Sequence, residues 1–149
     1  MNIFDKADRE ALLARVIGFN ETNIRQWGKM NHNEMLCHTT DQIRCVLGEK
    51  EFKHMDPGIP LWLLKFFIFF MPWPKNSPTH PDFDKARRGT QPHNFEEDKN
   101  ELLRVIKKVG DWPKETSLPP HPSFGHLSRK RWGQLMADHL DWHLKQFNA

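Results

Sequence analysis

His121-Pro122-Ser123-Phe124-Gly125-His126-Leu127-Ser128 leads directly into an amphipathic stretch from Arg129 to about Phe147, and this junction decides the fold. Ser128 is a good N-cap, because its hydroxyl accepts from an orphan N–H of the first helical turn. Beyond it, Trp132, Leu135, Met136, His139, His143 and Gln146 share one stripe at helical spacing. Lys130, Gln134, Ala137, Asp141 and Lys145 fall on the other face, which suits solvent. His139 and His143 stand one turn apart, roughly 40° around the axis. Two imidazoles so placed can share a metal ion at Zn–N distances of about 2.0–2.1 Å. They can equally be two packed side chains, and on spacing alone packing is the simpler reading. The metalloprotease motif is absent, since it needs Glu after the first histidine and Leu140 stands there.

Working outward, 149 residues suit one domain, 1–149, with a single core. The net charge is +3 and the pI about 9.0. This mild excess does not point to nucleic acid, and Lys85-Ala86-Arg87-Arg88 and Arg129-Lys130-Arg131 read as solvated surface. Cys37 and Cys45 lie two helical turns apart, too far to bridge easily, and no CxxC occurs. Free thiols and an N-terminus without an apolar signal region suit a cytoplasmic protein.

The first amphipathic helix is expected from about Ala7 to Phe19, with Asp5 as cap, a Leu12/Val16/Phe19 stripe, and Leu13 and Ile17 beside it. A loop through Trp27-Gly28-Lys29-Met30 precedes a second helix from near Asn31 to Leu47. Asn31 and Glu34 have capping-box spacing, and Gly48 suits a left-handed stop. Met35, Leu36, Ile43, Val46 and Leu47 form its apolar arc. His38 lies off that arc, near Glu34, Gln42 and Cys45, so periodicity puts it on a polar face or a cleft edge.

Residues 59–74 are a dense apolar run, Ile59-Pro60-Leu61-Trp62-Leu63-Leu64-Lys65-Phe66-Phe67-Ile68-Phe69-Phe70-Met71-Pro72-Trp73-Pro74. A membrane-spanning helix needs about 20 apolar residues. This run is shorter, carries Lys65, and is bounded by prolines. A buried helix or a dimer contact is expected; a membrane-surface segment is the alternative, though it lacks a charged opposite face. Residues 75–94, with Pro78, Pro81, Gly89 and Pro92, read as a long ordered loop covering a pocket. A further helix from about Phe95 to Val109 is followed by Gly110 and a second loop. Four main helices, a hydrophobic extra segment and no convincing strand make an all-α bundle.

The set Trp27-Gly28-Lys29-Met30-Asn31, Met35-Leu36-Cys37-His38 and Gln42, then His121-Pro122-x-Phe124-Gly125, Trp132-Gly133 and His139-x-x-x-His143-Leu144-x-Gln146-Phe147, resembles the DinB-like (YfiT-like) superfamily. The narrower likeness is to a bacterial branch described only as a domain of unknown function, and it runs from about residue 8 to 148. The resemblance implies a four-helix bundle with a three-histidine metal site, one ligand from the second helix and two from the last. Residue by residue, these are His38, His139 and His143. Branch members often carry another histidine just before the last ligand. Trp142 stands there in this chain, so no proton-transfer role carries over to that position.

Three neutral imidazoles leave a metal with an open position, the catalytic arrangement for zinc. Nickel suits imidazole as well. Relatives in the superfamily include bacillithiol- and mycothiol-dependent transferases and a maleylpyruvate isomerase. The resemblance therefore implies a transferase or hydrolase in which the metal activates a low-molecular-weight thiol or water against a small-molecule substrate. Glu34, Asp41 and Gln42 are candidates to brace His38, and Asp138 and Gln146 to brace the other two. Cys37 reads as packed and Cys45 as the better candidate for the cleft wall. His32, His54, His80, His93 and His126 read as solvent or loop residues. His121 is expected to shape the loop near the pocket without binding metal. The alternatives are a non-catalytic bundle that binds a small molecule or partner, and a membrane-surface protein centred on residues 59–74. The surplus apolar surface of 61–73 suits a homodimer, with a monomer as the alternative.

Overall fold

A computed structural model describes residues 1–75 and 79–149; Pro78 of the expected loop lies outside them. The described residues are all-helical, with α1 (Lys6–Gly18), α2 (His32–Leu47), α3 (Leu61–Phe70), a 3-10 turn at Pro81–Phe83, α4 (Phe95–Gly110) and α5 (Arg129–Gln146). No strand is present among them; His121 and Gly125 form an isolated antiparallel bridge.

The caps fall where the sequence chemistry asks for them. Asp5, Asn31, Asn94 and Ser128 each accept from a backbone N–H of the first turn of α1, α2, α4 and α5. Asn31 and Glu34 complete a reciprocal capping box, and Gly48 ends α2 in the left-handed conformation. Helix α1 packs on α4 and α5, and α2 packs on the same two, so α1, α4, α2 and α5 encircle a common core in that order. Leu12, Val16, Phe19, Met35, Ile43, Leu102, Ile106, Trp132, Leu135 and Phe147 are buried in it. The N-terminal residues close one end. Ile3 N donates to the Gly133 carbonyl at 3.0 Å, and a side chain at position 133 would collide with Asn2 and Phe4.

Four expectations fail in detail. Ile17, placed beside the core stripe, is exposed. Ala137, placed toward solvent, is buried with Leu140 and Leu144, because α5 is gripped on more than one side. The polar face of α2 is also buried: Asp41 is fully covered and His38 is 6% exposed. Residues 79–90 fold over that face. Thr90 donates its N–H (2.8 Å) and its hydroxyl (2.6 Å) to Asp41, and Lys50 Nζ joins at 2.6 Å. Polarity marked this face as wet, but its hydrogen bonds are met inside the protein.

The fourth concerns residues 59–74. A helix does begin directly after Pro60, as the flanking proline suggests, but no residue of α3 is fully buried. Leu64, Ile68, Phe69 and Trp73 pack partly against the core. Trp62 and Phe70 are 71% and 63% exposed, so the expected buried helix is not what this chain forms.

Candidate metal centre

The capping box fixes the start of α2, and its rotation then turns His38 toward α5. Helix α5 presents His139 and His143 from successive turns. The three rings meet: centroids of His38 and His139 are 4.8 Å apart, His38 and His143 4.6 Å, and His139 and His143 4.6 Å. Each offers one ring nitrogen, all within 4.8 Å of one another, which is close enough to bind a metal. His38 Nε2 lies 2.9 Å from His139 Nε2. A tetrahedral zinc site needs N···N separations of roughly 3.3 Å, inside this range. His38 and His143 are buried, and His139 keeps some exposure.

The outer nitrogens decide which lone pairs are free. His38 Nδ1–H donates to the Phe83 carbonyl at 3.2 Å, which leaves Nε2 as the lone-pair nitrogen of the neutral ring. His143 Nδ1–H donates to Gln146 Oε1 at 2.9 Å. Gln146 is itself held, with its amide nitrogen on the Trp27 carbonyl at 2.8 Å and its own carbonyl accepting from Gln26 N at 2.7 Å. Gly28 adopts a positive φ of 75°, and a Cβ there would come within 2.5 Å of the Gln146 amide nitrogen. The Trp27-Gly28 turn therefore sets the glutamine that sets His143. His139 has no such support among the described residues: its Nδ1 is buried there without a hydrogen-bond partner.

Burial pushes all three imidazoles below their ordinary pKa. Neighbouring histidines push His139 and His143 further down, whereas the Phe83 carbonyl and Asp41 partly offset the effect at His38. The rings are thus held neutral at pH 7, which is the form that ligates metal. The donor set, with two of three rings already oriented by an acceptor on the far nitrogen, fits a divalent ion.

The cluster lines a cavity of about 1020 Å³. Leu64, Phe67, Ile68 and Trp73 give it an apolar wall, with the Trp73 ring 5.9 Å from His139. Gln42, Thr79, His80, His121 and Ser123 supply polar groups.

Of the residues expected to brace the three histidines, Gln146 does so, at His143. Glu34 instead serves the α2 cap and pairs with Lys85. Asp41 is taken by Thr90 and Lys50, and Asp138 pairs with the N-terminal amino group at 3.4 Å. Gln42 reaches the cavity without a hydrogen bond to His38. Cys45, expected in the cleft wall, does not line the cavity. Burial pushes its thiol and that of Cys37 up to about 12.

His80, expected to be a solvent or loop residue, lies in a loop but not in solvent. It is 8% exposed and lines the cavity. His121 sits near the pocket as expected, and it is buried too. Both open a His-Pro dipeptide and fold alike. His80 Nδ1 accepts from Asp82 N at 3.2 Å, and His121 Nδ1 accepts from Ser123 N at 3.0 Å and Phe124 N at 3.2 Å. The recurrence of His-Pro was the available signal. The Phe83 carbonyl, which carries no side-chain chemistry, could not be read from the sequence.

No curated protein and no solved structure matches the chain. A family model does match, over residues 64–149. That span takes in α4, α5, both α5 histidines and the His121-Pro122 turn, and leaves out α2 with His38. The chain belongs to the family described as Protein of unknown function (DUF1569).

Proposed function

We propose that this is a metal-dependent enzyme built on a DinB-like four-helix bundle, with His38, His139 and His143 holding one divalent ion, zinc or nickel. The observation that carries this reading is the convergence of three neutral imidazoles from two helices on the wall of a large, mostly apolar cavity. The encircling order of α1, α4, α2 and α5 supports the bundle.

A divalent ion bound by three imidazoles supplies a positive charge and an open position, able to lower the pKa of bound water to about 7 or to hold a thiolate. The protein does the rest. The Phe83 carbonyl and the Gln146 amide keep His38 and His143 aimed. Leu64, Ile68 and Trp73 give the cavity an apolar wall, and lower local polarity strengthens the electrostatic interactions beside it. His121 accepts at Nδ1, so its neutral ring carries the proton on Nε2 and can donate to a substrate oxygen in the cavity. Neither cysteine can serve as nucleophile, since both thiols are buried, pushed up to about 12, and outside the cavity wall. In this reading the nucleophile comes from solution, as water or a low-molecular-weight thiol, in a hydrolase or transferase reaction on a small electrophile with a sizeable apolar part.

Elemental analysis of tag-free protein tests the reading, with wild type beside His38→Ala and His143→Ala. One divalent ion per chain, lost in both variants, is expected. Wild type that takes up neither zinc nor nickel on incubation would overturn it.

A further inference from the structure

Helix α3 presents a puzzle that the metal centre does not absorb. Its inner side, through Leu64, Phe67 and Ile68, walls the cavity. Its outer side, through Leu61, Trp62, Phe66 and Phe70, faces outward, and Ile59 and Met71 extend the patch at either end. A helix that is apolar all round belongs in a protein core or a membrane, and among the described residues nothing covers this one. No helix of the described residues is long and apolar enough to cross a bilayer.

Charge distinguishes the occupants. From residue 57 to residue 81 the chain holds Lys65 and Lys75 and no Asp or Glu. Lys65 projects from α3 and rests on the His126 carbonyl at 3.1 Å. The Arg131 guanidinium lies 4.7 Å and 4.9 Å from the Phe69 and Phe70 ring centroids. The carboxylates beside the C-terminal end of α3 are already paired, Asp138 with the N-terminal amino group and Asp141 with Arg15 and Lys145. A twofold contact through α3 would set each patch on its own copy, bringing Lys65 and Arg131 toward like charges while Asp138 and Asp141 are already paired. A bilayer with anionic headgroups meets both demands, taking aromatic and aliphatic side chains at the acyl boundary and pairing the cations above it.

We propose that α3 seats the protein on an anionic membrane surface through Leu61, Trp62, Phe66 and Phe70, with Lys65 and Arg131 at headgroup level. Because Phe67 is both exposed and part of the cavity wall, the seated helix also brings the cavity to the acyl boundary.

Co-sedimentation with vesicles of equal parts phosphatidylglycerol and phosphatidylcholine tests this, with pure phosphatidylcholine vesicles as comparison. Wild type is expected to sediment with the anionic vesicles and much less with the neutral ones, and added salt should release it. Trp62→Asp and Phe70→Asp should each weaken binding about tenfold or more, and Lys65→Glu should reduce the preference for anionic lipid. Both aromatic positions are exposed and outside the cavity wall, so circular dichroism and metal content should match wild type. Failure of wild type to sediment with anionic vesicles would overturn the proposal, as would equal binding to neutral ones. So would a wild-type dimer in light scattering that Phe70→Asp splits into monomers and that ignores vesicles.

Discussion

Helices α2 and α3 lie on either side of the same cavity and treat their residues in opposite ways. Helix α2 carries His38, Thr39, Thr40, Asp41 and Gln42 in succession, and all five are buried. Helix α3 carries nine apolar residues and one lysine, and none is fully buried. The contrast separates polarity from position. Two of the five on α2 go inside with a partner the fold brings them, Thr90 and Lys50 for Asp41 and the Phe83 carbonyl for His38, whereas the Thr40 hydroxyl is buried with no partner among the described residues. The apolar side chains on the outer side of α3 stay exposed because no element among the described residues packs over them.

The largest effect should come from removing one of those internal partners. Asp41→Ala strands the Thr90 N–H and the Lys50 ammonium, and breaking a buried pair costs about 3–5 kcal/mol. Trp62→Gln on α3 should change stability by no more than about 0.5 kcal/mol. Urea denaturation of both variants tests this directly; equal losses would break the comparison.

Gln146→Leu should act next most strongly, and on metal rather than on folding. Losing the acceptor on His143 Nδ1 should weaken metal affinity about 10–100-fold, the usual worth of a group that orients a ligand. Competition against a chromophoric chelator measures it. An unchanged affinity would mean that packing alone orients His143.

Acid provides a graded test. His38, His139 and His143 are held below the ordinary imidazole value, and His121 falls to about 3, each chiefly by burial. Unfolded imidazoles titrate near 6.5, so on acidification the unfolded chain takes up protons that the folded chain refuses. The stability due to these groups is complete above about pH 6.5 and is lost as the pH falls toward 3. The thermal midpoint of metal-free protein should therefore drop between about pH 7 and about pH 5. A midpoint that stays level would mean the rings are more hydrated than their burial indicates.

The smallest effect should be on the outer side of α3. Phe66→Ser on α3 should leave metal content and thermal midpoint essentially at wild-type values, because its exposed ring packs against Phe67 and Phe70 of the same helix and not against the core. A marked loss in either would show that α3 is more tightly integrated than its exposure suggests.

Most of the helical frame was legible, because capping chemistry is local. Asp5, Asn31 and Ser128 announce helix starts, and Gly48 announces a stop, in residues a few positions apart. The α5 histidine pair was legible for the same reason, since i and i+4 fix a shared face. His38 was not legible from periodicity, because its burial depends on residues 79–90 folding over α2. It entered only through a family resemblance. Gln146 was found by its proximity to His143, but the Trp27-Gly28 turn that holds it is 119 positions away. The Phe83 carbonyl and the covered Asp41 belong to the same class: contacts made by the fold, with no local pattern to announce them.

The central claim is that three imidazoles share one ion. X-ray absorption spectroscopy of zinc-loaded protein tests it most directly, with His38→Ala alongside. Wild type should show three imidazole nitrogens at about 2.0–2.1 Å with a further light ligand, and the variant two imidazoles or no stable site. A zinc shell built from sulfur or carboxylate, or one that His38→Ala leaves unchanged, would contradict it.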